Sequence, residues 1–289
     1  MTIFRQVGII GSGRVAQALV LGLAPHSGAP VLLWGRSPDR AGAAAARVRA
    51  IAAHGLAPVA KDCDLIAIAV SDDAVATVAA ELAEAVSKNC AAFAFHVSGR
   101  SGASLLGPLQ TAGMLTGAIH PAMTFTGDPQ AEVRRMTEAR FAVTGSSPAA
   151  EERARQVVAL LGGIAVHISE GGRPLYHAAL CHASNHLVTL LAGASHALRN
   201  AGVDDPAALI APLVRAALEN SLDRGFAALS GPLLRGDDHT IEGHLEALAA
   251  ACPDLLPAYR AMALATLDEL GRKERSALRR ALDSGGAVP

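Results

Sequence analysis

Apolar residues come in short blocks through the first half of the chain and in long helical stripes through the second. Residues 5–10, RQVGII, form a β-branched run that stops at GSGRVAQALVLGLAP, where a glycine-rich turn is followed by apolar positions at helical spacing. That order predicts strand, turn, helix. The alternation recurs in PVLLWGRSPDRA, which leads into an Ala-rich helix over about 38–53. It recurs again in the almost wholly apolar 64–70 segment, the pattern of a parallel strand covered on both faces. AAFAFHVSG, MLTGAIHPAM and RFAVTG predict three more strands, the first two ending in polar or histidine-bearing turns. Ser147 then caps a helix with Pro148 in its first turn and Glu151 and Glu152 near the positive dipole end. That helix closes at Gly162 and Gly163, and IAVHI reads as a last strand. From EGGRP onward the pattern is helical, at about 173–200, 206–223, 240–251 and 255–283, the last broken near Gly271. Asn200 to Gly202 and Asp205-Pro206 supply stop and start signals. The expected fold class is α/β followed by all-α, with a doubly wound sheet in residues 1–168 and a helical domain in 169–289.

Composition narrows the partners. The 289 residues carry 25 Lys+Arg against 26 Asp+Glu, so neither nucleic acid nor an anionic membrane surface is advertised. Hydrophobic residues make up 51% of the chain, yet no run of about 18 or more is free of charged or strongly polar groups, so no membrane span is expected. Cys63, Cys90, Cys181 and Cys252 are scattered without a CxxC pair, and no signal peptide precedes the first strand. These features predict a soluble, cytoplasmic protein whose partner is a small molecule. Lys61, Lys88 and Lys273 are the only lysines, which matters once a proton donor is sought.

Gly11, Gly13 and Ala16 match the GxGxxA pattern of a Rossmann-type dinucleotide site. The first glycine makes the tight turn, the second lets backbone N–H groups approach a pyrophosphate, and the third position packs helix on sheet. Ser12, Arg14 and Val15 complete the turn and the helix N-terminus, whose partial positive charge suits phosphate. About 20 residues further on, an NAD site usually carries an acidic residue for the ribose hydroxyls. Here Gly35, Arg36 and Ser37 stand there, with Arg40 one turn on, which suits the 2′-phosphate of NADP(H). Ser37 also reads as the cap of the helix beginning at Pro38, and both roles can hold at once. Val70 and Ser71, at the end of the 64–70 strand, border the switch point of the sheet and are expected to face the cofactor, although helix capping alone would account for Ser71 and Asp72.

Ser98, Gly99 and His120 lie at strand ends and are candidates for the substrate side. Pro121 holds His120 in extended backbone, with either a structural hydrogen bond or a role at a substrate carbonyl open to the imidazole. The stretch YHAALCHASNH, 176–186, falls on a predicted helix. At 100° per residue His177, Cys181, Ser184 and Asn185 share an arc of about 100°, and His182 and His186 lie further round. The latter pair has metal-ligand spacing but no HExxH glutamate or third ligand, so no metal is expected. A reductase needs a group to hold the substrate oxygen and one to protonate it. Asn185 suits the first. No lysine lies on this helix, which leaves His120 and His177 for the second; the alternative is that Asn185 and His177 satisfy backbone groups at the domain junction. Ser184 is a substrate-side candidate, and Arg235, in GPLLRGD, could anchor a carboxylate or form a salt bridge.

The sequence of motifs GSGRVA, HVSG, HPAMTF, LYHAALCHASNHLV and SGPLLRGDDHTIEGHLEAL resembles the Rossmann-like plus DUF2520 proteins, relatives of β-hydroxyacid dehydrogenases, ketopantoate reductases and pyrroline-5-carboxylate reductases. The resemblance covers nearly the whole chain. It implies an NADP-binding domain, a helical domain that serves substrate binding and homodimerisation, and a small carbonyl or 2-keto acid, ketopantoate-like, as substrate between the domains. Asn185 matches the family's SN motif. The wider superfamily places a catalytic lysine four residues earlier, where this chain has Cys181. That departure leaves a histidine as the acid, or a non-catalytic NADP-binding sensor or dimerisation protein as the alternative.

Overall fold

The computed structural model describes residues 3–86, 91–272 and 277–283. Lys88, Cys90 and Lys273, and part of the stretch expected as one helix over 255–283, lie outside them.

The first half alternates strands and helices: β1 (Val7–Ile10), α1 (Arg14–Leu23), β2 (Leu32–Trp34), α2 (Pro38–Val48), β3 (Ile51–Ala52), α3 (Leu56–Asp62), β4 (Leu65–Ile68), α4 (Val75–Ala85) and β5 (Phe93–His96). Then follow α5 (Gly107–Thr111), β6 (Leu115–Pro121), α6 (Pro129–Met136), β7 (Arg140–Gly145), α7 (Pro148–Leu160) and β8 (Ile164–His167). The strands form one eight-stranded sheet in the order β3-β2-β1-β4-β5-β6-β7-β8. Every pairing is parallel except β6 with β7, which run antiparallel with His120 opposite Ala142. Because the chain leaves β1 outward to β2 on one side and returns to β4 on the other, the ends of β1 and β4 mark the switch point where such sheets bind ligands.

Period-two alternation sorts the strand side chains into two layers. Val7, Ile9, Leu65, Ala67 and Phe95 pack beneath Leu19, Leu23, Val157 and Val158 of α1 and α7. Ile10, Ile66, Ile68 and Ala94 face Val59, Val78 and Leu82 of α3 and α4 on the other side. Ser37 and Ser147 cap α2 and α7 as expected, accepting from Arg40 N and Ala150 N. The helix predicted over 38–53 stops at Val48, however. Arg49 ends it in the left-handed region (φ 58°), and the next residues form the two-residue edge strand β3. An Ala/Arg run without glycine hides such a stop, and a two-residue strand carries no readable period.

After β8 the described elements are helical: α8 (Arg173–Asn200), α9 (Pro206–Arg224), α10 (Pro232–Arg235), α11 (Asp238–Ala251), α12 (Leu256–Glu269) and α13 (Ala277–Asp283). The chain separates into two compact units, Met1–His182 and Ala183–Pro289, with the division inside α8. The second unit has a small core of Ile241, Leu245, Ala263, Leu267, Leu278 and Leu282. α9 stands apart from it: Pro206 is its one buried residue, and Leu213 and Leu222 are 71% and 78% exposed. Among the described residues no helix is long and apolar enough to cross a membrane.

The two glycines of the first turn differ in what they forbid. Gly11 has φ +130°, and a Cβ there would sit 2.2 Å from the Ala69 carbonyl oxygen; Gly13 has extended backbone and no atom within 4 Å of its missing Cβ. Strain of this kind costs roughly 1–3 kcal/mol before any clash. Gly11→Ala is therefore expected to lower the thermal unfolding midpoint by several degrees and Gly13→Ala to leave it unchanged, as read by calorimetry; equal midpoints would contradict this account of the turn.

Candidate active site

A cavity of about 980 Å³ opens at the C-terminal ends of β1, β2 and β4. Its floor is the turn Gly11-Ser12-Gly13, pressed between strands: Gly11 N–H donates to Trp34 O at 2.7 Å, and Ala69 N–H to Ile10 O at 2.7 Å. Gly13 is the N-cap of α1, with no side-chain cap and no acidic residue in the first turn. The first-turn N–H groups and the helix dipole are thus offered to the cavity, whose free space lies where a Gly13 side chain would project. Arg14 and Val15 line it too. Arg36, Ser37 and Arg40 stand at the mouth beyond β2. The Ser37 hydroxyl oxygen accepts from Arg40 N at 3.4 Å, which leaves its proton free to donate, so the capping role excludes no other. Val70 and Ser71 line the opposite wall; Ser71 precedes a 3-10 turn but makes no side-chain cap.

Sequence reasoning missed Trp34, Thr77 and Glu81 in this cavity, and also Phe125, which arrives from the loop after β6. That loop is tied down from three helices. Arg14 donates to Phe125 O at 3.0 Å, Arg47 of α2 to Gly127 O at 2.7 Å, and buried Glu132 of α6 accepts Gly127 N–H at 2.6 Å. No local pattern announces such ties.

Beside the cavity, at the ends of β5 and β6, stands a second constellation. Val97 lines the cavity, and Ser98 and Gly99 follow directly. His96 is fully buried; its Nδ1 accepts Ser98 N–H at 3.1 Å, so Nε2 carries the proton donated to Gly102 O at 2.8 Å. Burial holds the His96 pKa below the ordinary value. The Ser98 hydroxyl is buried and makes no hydrogen bond to the described chain. Gly99 is where space is tightest: a Cβ would lie 2.5 Å from His177 Cδ2 and 3.0 Å from His120 Nε2. The two imidazoles therefore crowd one bare stretch of backbone, with ring centroids 5.9 Å apart and edge to face. His120 Nδ1 lies 2.9 Å from the hydroxyl of Tyr176, a residue that sequence reasoning passed over. Cys181 Sγ is 3.8 Å from His177 Nε2.

Beneath them lies Arg173, fully buried at the start of α8. Its guanidinium donates to Thr144 Oγ1 (2.8 Å), Ser98 O (3.2 Å), Ala118 O (2.9 Å) and Ala142 O (3.1 Å). All four acceptors are neutral. Burial lowers its pKa to about 10, so it stays charged at neutral pH, with Tyr176 and Glu170 opposing that shift. Glu170 itself accepts from Ser104 Oγ at 2.5 Å.

The other expected site residues lie in the second unit. Ser184 and Asn185 continue α8, and Arg235 is paired with Asp237 at 2.8 Å. Among the described residues no three His, Cys, Asp or Glu side chains converge as a metal site would require.

Residues 3–121 match the model of the Rossmann-like domain, and residues 139–266 match that of the Domain of unknown function DUF2520. The chain thus carries a match to a Rossmann-like domain followed by a match to a DUF2520 domain. No curated protein matches it. Among solved structures, this chain is similar to a candidate NADP oxidoreductase from Bacteroides fragilis, with 20% identity, a TM-score of 0.74, and 91% of this chain and 98% of that one covered. A protein of Thermotoga maritima follows at 21% identity and TM-score 0.67, covering 92% and 100%. The imine reductase of Myxococcus stipitatus, in complex with NADP+, has 19% identity and TM-score 0.64, covering 97% and 95%. At these identities the likeness is one of fold.

The cluster has a pH signature. Burial first, then His177 and Arg173, lower the His120 pKa from 6.5 to about 4. The unfolded chain binds the proton first as pH falls, so this group's contribution to stability is lost on acidification from about 6.5 through about 4. Thermal midpoints should fall less between pH 7 and pH 4 in His120→Asn than in the wild type, and the His120 NMR signal should titrate near 4; titration near 6.5 would contradict the assignment.

Proposed function

We propose that the protein is an NADP(H)-dependent oxidoreductase that reduces a small carbonyl compound or 2-keto acid, ketopantoate among the candidates. One observation carries the reading: the wall of the cavity runs through Val97 directly into Ser98 and Gly99, against which His120 and His177 are packed. The cavity's features fit the dinucleotide. The uncapped α1 N-terminus and the free space at Gly13 suit a pyrophosphate, and Arg36, Ser37 and Arg40 suit a 2′-phosphate with no carboxylate at 35–37 to repel it. The Myxococcus protein's NADP+ complex supports the same choice. When bound, the nicotinamide supplies the hydride.

The chain's own residues do the rest. A neutral His120 donates a hydrogen bond to the substrate oxygen, and His177 is left to deliver the proton. Arg173, charged and ion-paired to no carboxylate among the described residues, raises the potential around them beyond what Glu170 offsets, which favours an oxygen gaining negative charge over a protonated imine. A homodimer through the second unit belongs to the same proposal, supported by α9, which exposes Leu213 and Leu222. Sedimentation equilibrium showing a monomer at micromolar concentration would contradict it.

Loss of NADPH absorbance with a panel of ketopantoate, other 2-keto acids and cyclic imines tests the activity. Turnover of at least one keto acid is expected. Binding of NADPH with no turnover on any of them would favour the sensor, the reading that Cys181 in the lysine's place keeps open. Trp34, the only tryptophan, lines the cavity and reports binding by its fluorescence. Arg36→Ala should weaken NADPH by roughly ten-fold or more, the worth of a charge-assisted hydrogen bond, and leave NADH nearly unchanged; equal losses would remove the case for NADP(H).

A further inference from the structure

The contact between Tyr176 and His120 has a direction, and that direction decides what the imidazole offers. An imidazole nitrogen is a better acceptor than a phenolic oxygen, and a phenol a stronger donor than a neutral imidazole. Among the described residues the Tyr176 hydroxyl has no hydrogen-bond partner but His120 Nδ1. Were His120 the donor, the phenolic proton would be left without an acceptor among the described residues, in a partly buried position where that is unfavourable. With Tyr176 as donor nothing is left over: Nδ1 is satisfied, and the proton of the neutral ring sits on Nε2. That nitrogen is turned toward Gly99, at the bare backbone that continues the cavity wall.

Both side chains are held in this relation from their own elements. His120 ends the paired length of β6, with Pro121 restraining its backbone. Tyr176 lies one helical turn beyond Arg173, whose four hydrogen bonds fix the start of α8 on the ends of β6 and β7. The rings meet edge to face at 5.7 Å. His96 shows the same tautomer imposed by backbone, since Ser98 N–H can only donate to its Nδ1.

We propose that Tyr176 is a positioning residue: its hydroxyl donates to His120 Nδ1, fixes the Nε2–H tautomer, and so turns a neutral imidazole into a hydrogen-bond donor for the substrate oxygen. A neutral imidazole in this role polarises a carbonyl without having to be protonated at working pH. The identity of the substrate atom rests on the reductase reading, whereas the tautomer does not.

Long-range 1H–15N correlation of histidine-labelled protein at pH 7 tests it, with His120→Asn identifying the signal and His96 as internal reference. The expected result is Nε2–H at both histidines in the wild type, with the His120 preference lost in Tyr176→Phe and that of His96 kept. A wild-type His120 found as Nδ1–H or as imidazolium overturns the proposal, and so does a Tyr176→Phe spectrum identical to the wild type. The wild-type spectrum settles the direction of the bond even should the variant fold poorly. In turnover, Tyr176→Phe should lower kcat roughly ten-fold, within the range of a lost acid–base partner, with KM for NADPH unchanged. Failure of every carbonyl substrate alongside the expected spectra would count against the reductase reading and leave the tautomer assignment standing.

Discussion

One buried guanidinium organises the ligand end of the first unit. Arg173 enters from the first turn of α8 and is held by carbonyls from the β5 end, from β6 and from β7, together with the Thr144 hydroxyl. Burying a charge is expensive unless its donors are satisfied. Here geometry satisfies them with neutral acceptors, and Glu170 acts on the charge without an ion pair being formed among the described residues, so the helix start is fixed in place and the guanidinium's charge is only partly offset beneath the two imidazoles. Tyr176 and His177 take their positions from that anchor, and the low His120 pKa partly reflects it.

The cavity beside this cluster is formed mainly from backbone. Gly11 can have no side chain because the Ala69 carbonyl occupies the place, whereas Gly13 leaves its side-chain space empty. The distinction separates a residue required by the fold from one whose absent side chain matters only to a ligand. The loop after β6 joins the two regions, running from His120 to Phe125 at the cavity and clamped through Arg14, Arg47 and Glu132.

Much of this was legible in the residues. The strand–turn–helix at Gly11, the buried 64–70 strand, the capped helices at Ser37 and Ser147 and the change to all-helical structure after IAVHI all follow from local periodicity and capping chemistry. Gly99 stood out in the sequence for its place at a strand end, whereas the room it leaves for two histidine rings is visible only in the fold. What stayed hidden depends on contacts distant in sequence. Nothing local to Arg173, an arginine after two glycines, marks it as fully buried. Tyr176 was passed over because its partner His120 lies 56 residues away, and nothing within the segment 140–145 says that β7 would run antiparallel to β6.

The central claim is that the proposed site is organised for an oxygen gaining negative charge, through a neutral donor over a buried arginine held by neutral acceptors. Calorimetric titration of the NADP+-saturated protein with oxamate and with pyrrolidine, which resemble a keto acid and a protonated cyclic amine, tests that claim directly. The account predicts that oxamate binds tighter by roughly ten-fold or more, about 1.4 kcal/mol. Pyrrolidine binding with oxamate excluded would contradict it and point to imine chemistry.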